Sequence, residues 1–275
     1  MTKESITIVE EGGDVQLLSA GDPDPVVVLN KDGNSPFVLT CEHAGCQVPE
    51  KLASLGLSDR DLRRHIGWDI GALGTARAIA RAMDAVLVSQ TYSRLVIDCN
   101  RPPLSAEAML RSSDGTEIPG NAGIDEAERA SRRQEIHQPF HDQVDAILEA
   151  RLSGRKPTAL IALHSFTPAL TSDGKERPWD LGLLYNRDRR LADLMDRALA
   201  DLNCGLNVAH NQPYAVNDHS DYTIPIHGER RGIPNLLLEI RNDHIHNQAG
   251  VSEWSDLLTK VLTIIEQRGK PRLWG

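Results

Sequence analysis

The chain has no hydrophobic run long enough for a helix to cross a bilayer. Its longest apolar stretches, 25–29 and 234–240, fall far short of the ~20 residues a spanning helix needs, so no membrane association is expected. The N-terminus, MTKESITIVEEGGD, lacks the basic flank and apolar stretch of a secretory leader and carries acidic residues instead, so a cytoplasmic protein is expected. The four cysteines, Cys41, Cys46, Cys99 and Cys204, have no CxxC spacing. That argues against a disulfide framework and a thiolate zinc site, and leaves them as reduced, mostly buried thiols. There is no Lys/Arg-rich run either, and a formal net charge of −9 opposes nonspecific nucleic-acid binding. An anionic substrate would need arginines focused in a pocket.

Internal repeats, low-complexity segments and strong linkers are also missing. The 275 residues therefore read as one domain with room for a sizeable core. From about residue 36, short β-branched or apolar runs alternate with longer helical patterns, the signature of a mainly parallel sheet covered by helices. Strands are expected at 36–41, 84–89, 93–98, 158–163, 181–185 and 234–240. Ser58 to Asp61 resembles a capping box that opens a helical stretch toward Met83, Asp125 can cap a pattern running to about Leu152, and further helices fit 188–202 and 250–267. The expected fold is α/β: a single three-layer domain with a mainly parallel mixed sheet flanked by helices. Residues 1–35 form an N-terminal arm with a short strand at 25–29, part of the same domain as the catalytic body 36–275. The polar connections 102–123, 165–180 and 211–233 are long for a compact domain and are candidate active-site walls.

In such sheets ligands gather beyond the carboxyl ends of the strands. Four polar groups follow apolar runs: Glu42-His43, Asp98 to Arg101, His164-Ser165-Phe166 and Glu239-Ile240-Arg241. Neutral imidazoles bind zinc well, a third protein ligand leaves a position for water, and a nearby glutamate can take the water's proton. An arginine can fork onto a substrate carboxylate. A single strand-end histidine or glutamate is more often a cap or a satisfied core residue; the four groups together point to metal-assisted hydrolysis. A nucleophilic Cys41 next to a histidine is the competing chemistry, but strand neighbours point to opposite faces, so an inert thiol is expected.

The same residues carry a resemblance. EHAG…VPE (Glu42 to Glu50), HIGWDIGA (His65 to Ala72), SRLVIDCNRP (Ser93 to Pro102), Pro139-Phe140-His141, ALHSF and LEIRND (Leu238 to Asp243) are together similar to the N-formylglutamate amidohydrolase family, from about Pro36 to Arg241. That family is related to zinc carboxypeptidases and aspartoacylases. The resemblance implies a zinc-carboxypeptidase-like (phosphorylase/hydrolase-like) fold and zinc held by His43 and His164, with Glu239 as general base. It implies a small anionic N-acyl amino acid as substrate, most simply N-formyl-L-glutamate. Carboxypeptidase-type sites take a ligand from a Glu three residues after the first His, where this chain has Cys46; Asp69 is the chosen replacement, on a helical stretch, with Glu42 and Glu50 as rivals. Arg101 is expected to grip the substrate's α-carboxylate, with Asn100 beside it or turning the chain into Pro102. Arg94 polarises the scissile carbonyl, meets a second carboxylate, or is a strand-face charge. His227, and Tyr222 with it, can reach in from the long loop, while His141 is expected to act behind the ligands or structurally.

Overall fold

The computed structural model describes residues 16–268 and Leu273. The first fifteen residues, with the acidic start and part of the expected arm, lie outside the described residues. The strands are β1 (Val26–Leu29), β2 (Phe37–Cys41), β3 (Val86–Gln90), a small hairpin of β4 (Ser112–Ser113) and β5 (Thr116–Glu117), then β6 (Ala159–Phe166), β7 (Leu181–Leu184), β8 (Val208–His210) and β9 (Asn235–Arg241). The helices are α1 (Asp59–Leu62), α2 (Ala72–Met83), α3 (Glu126–Arg132), α4 (Gln138–Ser153), α5 (Arg190–Leu202) and α6 (Gln248–Arg268). Among the described residues no helix is long and apolar enough to cross a membrane.

One seven-stranded sheet runs in the order β1-β3-β2-β6-β9-β7-β8. Its middle, β3, β2, β6 and β9, is parallel, while β1 and β7 pair antiparallel with β3 and β9. Parallel strands buried on both faces read as continuous apolar runs, which is why these were visible in the sequence. Alternation along them feeds two cores. Leu39, Leu87, Ile161 and Leu238 pack toward α2, α5 and α6, and Val38, Val88, Leu160 and Leu237 toward α4 and the turns beside it. The result is the expected three-layer, mostly parallel domain.

Three local expectations are corrected. Residues 93–98 do not form a strand. Gln90 ends β3 by accepting the Thr91 and Tyr92 N–H groups on Oε1, and Ser93 Oγ then accepts from Leu95 N and donates to Gly67 O. Leu95, Val96 and Ile97 still bury in the second core, so the apolar pattern was real but is satisfied by turns rather than a ladder. Second, the helix expected from Ser58 toward Met83 is broken. Ser58 caps α1 as its sequence suggests, but α1 stops at Leu62. The chain then folds back on itself: a Cβ on Gly67 would lie 2.1 Å from Leu62 O, and Gly71, at φ +80°, passes so close to Ile245 O that a Cβ there would sit 2.0 Å away. Asp69 therefore stands on a turn, not a helix, and its N–H donates to His43 O at 2.9 Å. Third, β8 was not expected, because three half-buried residues are too few to display an alternating pattern.

Candidate metal centre and active site

His164 on β6 and Glu239 on β9 are direct register partners on adjacent parallel strands, so both project from one face of the sheet. His43 follows the end of β2, and the turn tied to its carbonyl delivers Asp69. Nδ1 of His43 lies 3.2 Å from Nδ1 of His164, and Oδ2 of Asp69 lies 2.9 Å from His164 and 3.4 Å from His43. Donors on a tetrahedral zinc with bonds of ~2.0–2.1 Å stand about 3.4 Å apart, so these three atoms are spaced like one face of such a site. Among the described residues, this is the group that could hold a metal ion.

The opposite ring nitrogens fix the orientation. His43 Nε2 lies 2.7 Å from Asp98 Oδ1, and His164 Nε2 lies 2.9 Å from Glu42 Oε2. A carboxylate on the far nitrogen takes the ring proton and turns the Nδ1 lone pair inward, the usual second layer of a histidine metal site. Glu42, Asp69, Asp98 and Glu239 are all at most 7% exposed. Arg94 bridges two of them, with Nη2 2.7 Å from Asp98 and Nη1 3.6 Å from Asp69. So many buried carboxylates are costly unless a cation shares the space, and a divalent ion between the three donors fits that need.

Burial alone would raise Asp69 and Asp98, but His43 and His164 hold Asp69 well below the usual carboxylate range, and Arg94 with His43 does so for Asp98. His164, which burial would lower, is raised by Asp69 and Glu42. Glu239 is the exception: burial pushes its carboxyl up to about 8. Its Oε2 has no hydrogen-bond partner among the described residues. A carboxyl so placed can exchange a proton near neutrality.

Two adjoining cavities of about 260 Å³ each open onto this centre, and Arg94, Tyr214 and Glu239 line both. His43, His164, Asn100 and Arg101 face one of them. Asp69 and Asp98 face the other. The long connections 102–123, 165–180 and 211–233 all contribute wall residues. Asn100 spends its side chain on the loop opposite: Oδ1 accepts from Thr223 N at 3.1 Å and Nδ2 donates to Asp221 Oδ1 at 3.2 Å. Arg101 Nη1 donates to Ser220 O at 3.0 Å.

His227 lines neither cavity. Its Nε2 is 2.9 Å from His141 Nδ1, and the two rings stack at 5.1 Å. His141 Nε2 in turn donates to Cys99 O at 2.7 Å, and His137 Nε2 to Arg101 O at 3.0 Å. These histidines grip the backbone on either side of Asn100. Of the rival ligands, Glu42 backs His164 and Glu50 is exposed. Cys41 is buried in the core against α2, where burial, with Asp69 and Glu42 adding to it, pushes its thiol well above the ordinary value. Sequence reasoning missed Tyr214, His65 and the pairing roles of Asp98 and Glu42; the long polar loops were the available signal for the first, and no local pattern marks the others.

The N-formylglutamate amidohydrolase family model matches residues 35–246. The crystal structure of a gene product from Agrobacterium tumefaciens is 37% identical, over 90% of this chain and 97% of that one, with a TM-score of 0.86. The structure of N-formylglutamate amidohydrolase from Ralstonia eutropha JMP134 is 21% identical over 89% of this chain and 98% of that one, with a TM-score of 0.64, a likeness of fold. No curated protein matches the chain.

Proposed function

The chain belongs to the N-formylglutamate amidohydrolase family, and on that premise we propose that it hydrolyses the amide of an N-acyl amino acid, N-formyl-L-glutamate to formate and L-glutamate, with zinc held by His43, Asp69 and His164. The observation that carries this reading is the convergence of His43 Nδ1, His164 Nδ1 and Asp69 Oδ2 beside Glu239. Zinc, when bound there, supplies a Lewis acid that polarises the amide carbonyl and makes water acidic enough to act near neutral pH.

The chain's own groups do the rest. Asp98 and Glu42 hold the two imidazoles in orientation. Glu239 takes the proton of the attacking water and returns it to the leaving nitrogen. Arg94, which lines both cavities, offers a positive donor to the developing oxyanion. Arg101 receives the α-carboxylate, for which a guanidinium fork is suited. Asn100 keeps that arginine's turn against residues 220–223, and His227 acts through His141 rather than on the substrate. The test is Glu239→Gln: the protein should keep one zinc per chain by metal analysis and lose about 10²–10⁴-fold in kcat on N-formyl-L-glutamate. Full zinc with full activity would remove Glu239 from this role.

A further inference from the structure

The two chambers that meet at Arg94, Tyr214 and Glu239 measure about 260 Å³ each, far more than a formyl group of two non-hydrogen atoms fills. The amino-acid half of the substrate therefore has room on both sides of the junction. N-formyl-L-glutamate brings two carboxylates there, and each is stabilised best by a cation that no protein acid has already neutralised.

The arginines around the chambers differ in that respect. Arg94 is held by Asp98 at 2.7 Å and by Asp69 at 3.6 Å. Arg64 meets Asp114 at 3.3 Å and donates to Thr116 Oγ1 at 2.6 Å. Arg101, assigned above to the α-carboxylate, has looser pairings, with Asp221 at 3.6 Å and Glu107 at 3.7 Å. Among the described residues Arg177 has no carboxylate within ion-pair distance; its guanidinium meets the Tyr214 hydroxyl and ring instead.

The placement of Arg177 follows from its loop. Ala169 and Glu176 form an isolated antiparallel bridge, and Arg177 N–H donates to Pro168 O at 2.8 Å, so residues 168–177 close on themselves. Phe166, Thr167, Leu170 and Ser172 of the same connection line the chamber that His65 faces. Arg177 thus stands half-buried at the base of that loop, beside the ring that borders both chambers. Its charge reaches inward. Burial raises the Glu239 carboxyl and lowers the His65 imidazole, and the Arg177 charge opposes the first shift and adds to the second. A lowered His65 is neutral near pH 7, which leaves Arg177 as the uncompensated cation beside this chamber among the described residues.

We infer that Arg177 is a specificity-determining residue that receives the side-chain carboxylate of the substrate, while Arg101 receives the α-carboxylate. The inference rests on the amide-hydrolase reading and names the residue that selects the substrate's side chain. An acidic side chain gains a charge-assisted hydrogen bond at Arg177, and an uncharged one leaves that cation without an anion.

The experiment compares kcat/KM of the zinc-loaded protein on N-formyl-L-glutamate and on its isostere N-formyl-L-glutamine. The native protein should prefer the glutamate compound by about 10–100-fold, the worth of a hydrogen bond to a charged group. Arg177→Gln should bring that ratio to within about threefold of one. A native ratio near one overturns the assignment, and so does a ratio that the substitution leaves intact. Tyr214→Phe removes the hydroxyl that Arg177 holds but keeps the guanidinium, so the preference should persist there. Its collapse in that variant would mean that Arg177 acts only by holding the ring, which also overturns the assignment. Calorimetry on the metal-free protein reads the same comparison without turnover: the native chain should bind the glutamate compound more tightly than the glutamine compound, and Arg177→Gln should bind the two alike. Hydrolysis of neither compound by protein with full zinc defeats the amide-hydrolase reading itself, while the calorimetric ratio still decides the role of Arg177.

Discussion

Two groups of buried histidines lie side by side in this protein and have opposite chemistry. His43 and His164 each back onto a carboxylate, Asp98 and Glu42, and turn a bare nitrogen toward a common point shared with Asp69. His137, His141 and His227 are as deeply buried, but His137 and His141 spend Nε2 on backbone carbonyls, and His227 meets the His141 ring through Nε2 with Asp145 Oδ1 3.3 Å from its Nδ1. The pKa shifts follow the partners. Acids raise His164, while burial holds His141 and His137 low and His227 at about 4. What separates His43 and His164 from His137 and His141 is therefore the group behind the ring rather than burial or the residue type, while His227, with Asp145 behind it, has its other nitrogen taken up by the His141 ring. A carboxylate makes the imidazole a good donor to a cation, and a backbone carbonyl makes it a neutral brace for the chain.

The contrast is broken most severely from the first group. Asp69→Ala removes the one acidic donor in the converging set, and should lower zinc affinity by more than about 10²-fold, beyond what loss of an outer partner costs. Metal analysis after dialysis against a weak chelator checks this; retained stoichiometric zinc would mean that another carboxylate completes the site. The second group should answer differently. His141→Phe leaves Cys99 O without its buried donor and should cost about 1–3 kcal/mol of stability, read by chemical denaturation, while zinc content stays at one per chain. Loss of zinc in that variant would erase the distinction. The last effect is a pH dependence, spread over a window rather than read at one condition. His227 is neutral in the fold at pH values where an unfolded histidine, with a pKa of about 6.5, is charged. Its contribution to stability is therefore present above about pH 6.5 and is lost as pH falls toward about 4. The melting temperature of the metal-free protein should decline through that window, more gently in His227→Asn.

How much of this could be read in the sequence depends on how local each cause is. The runs that became β2, β6 and β9 were legible because parallel central strands are apolar throughout, and His164 and Glu239 followed from them because both stand near the carboxyl ends of their strands. Asp69 was selected from a resembling segment and the fitness of an oxygen ligand for zinc, since the turn that delivers it depends on Gly71, at positive φ, passing against the distant carbonyl of Ile245. Ser93 to Asp98 shows the limit of pattern reading: burial was legible, but whether a ladder or a set of turns satisfies the backbone was decided by the Gln90 and Ser93 side chains. The pairings of Asp98 with His43 and of Glu42 with His164 span 55 and 122 residues, so they exist only once the sheet has formed. His227 misled because a loop histidine before a catalytic strand carries the same signal whether it faces substrate or, as here, another ring.

Tyr214 is a wall element of the site that the fold holds lightly. It is 47% exposed and borders both chambers. At the rim, Arg177 Nη1 donates to its hydroxyl at 2.9 Å and stacks its guanidinium 5.0 Å from the ring centre. The ring therefore stands where the two chambers adjoin. The latch that holds the ring is a solvent-facing hydrogen bond, worth about 0.5–1.5 kcal/mol. A contact of that strength can open on the nanosecond-to-microsecond scale of loop motion, so the wall the two chambers share is held by an interaction that adds little to the stability of the fold.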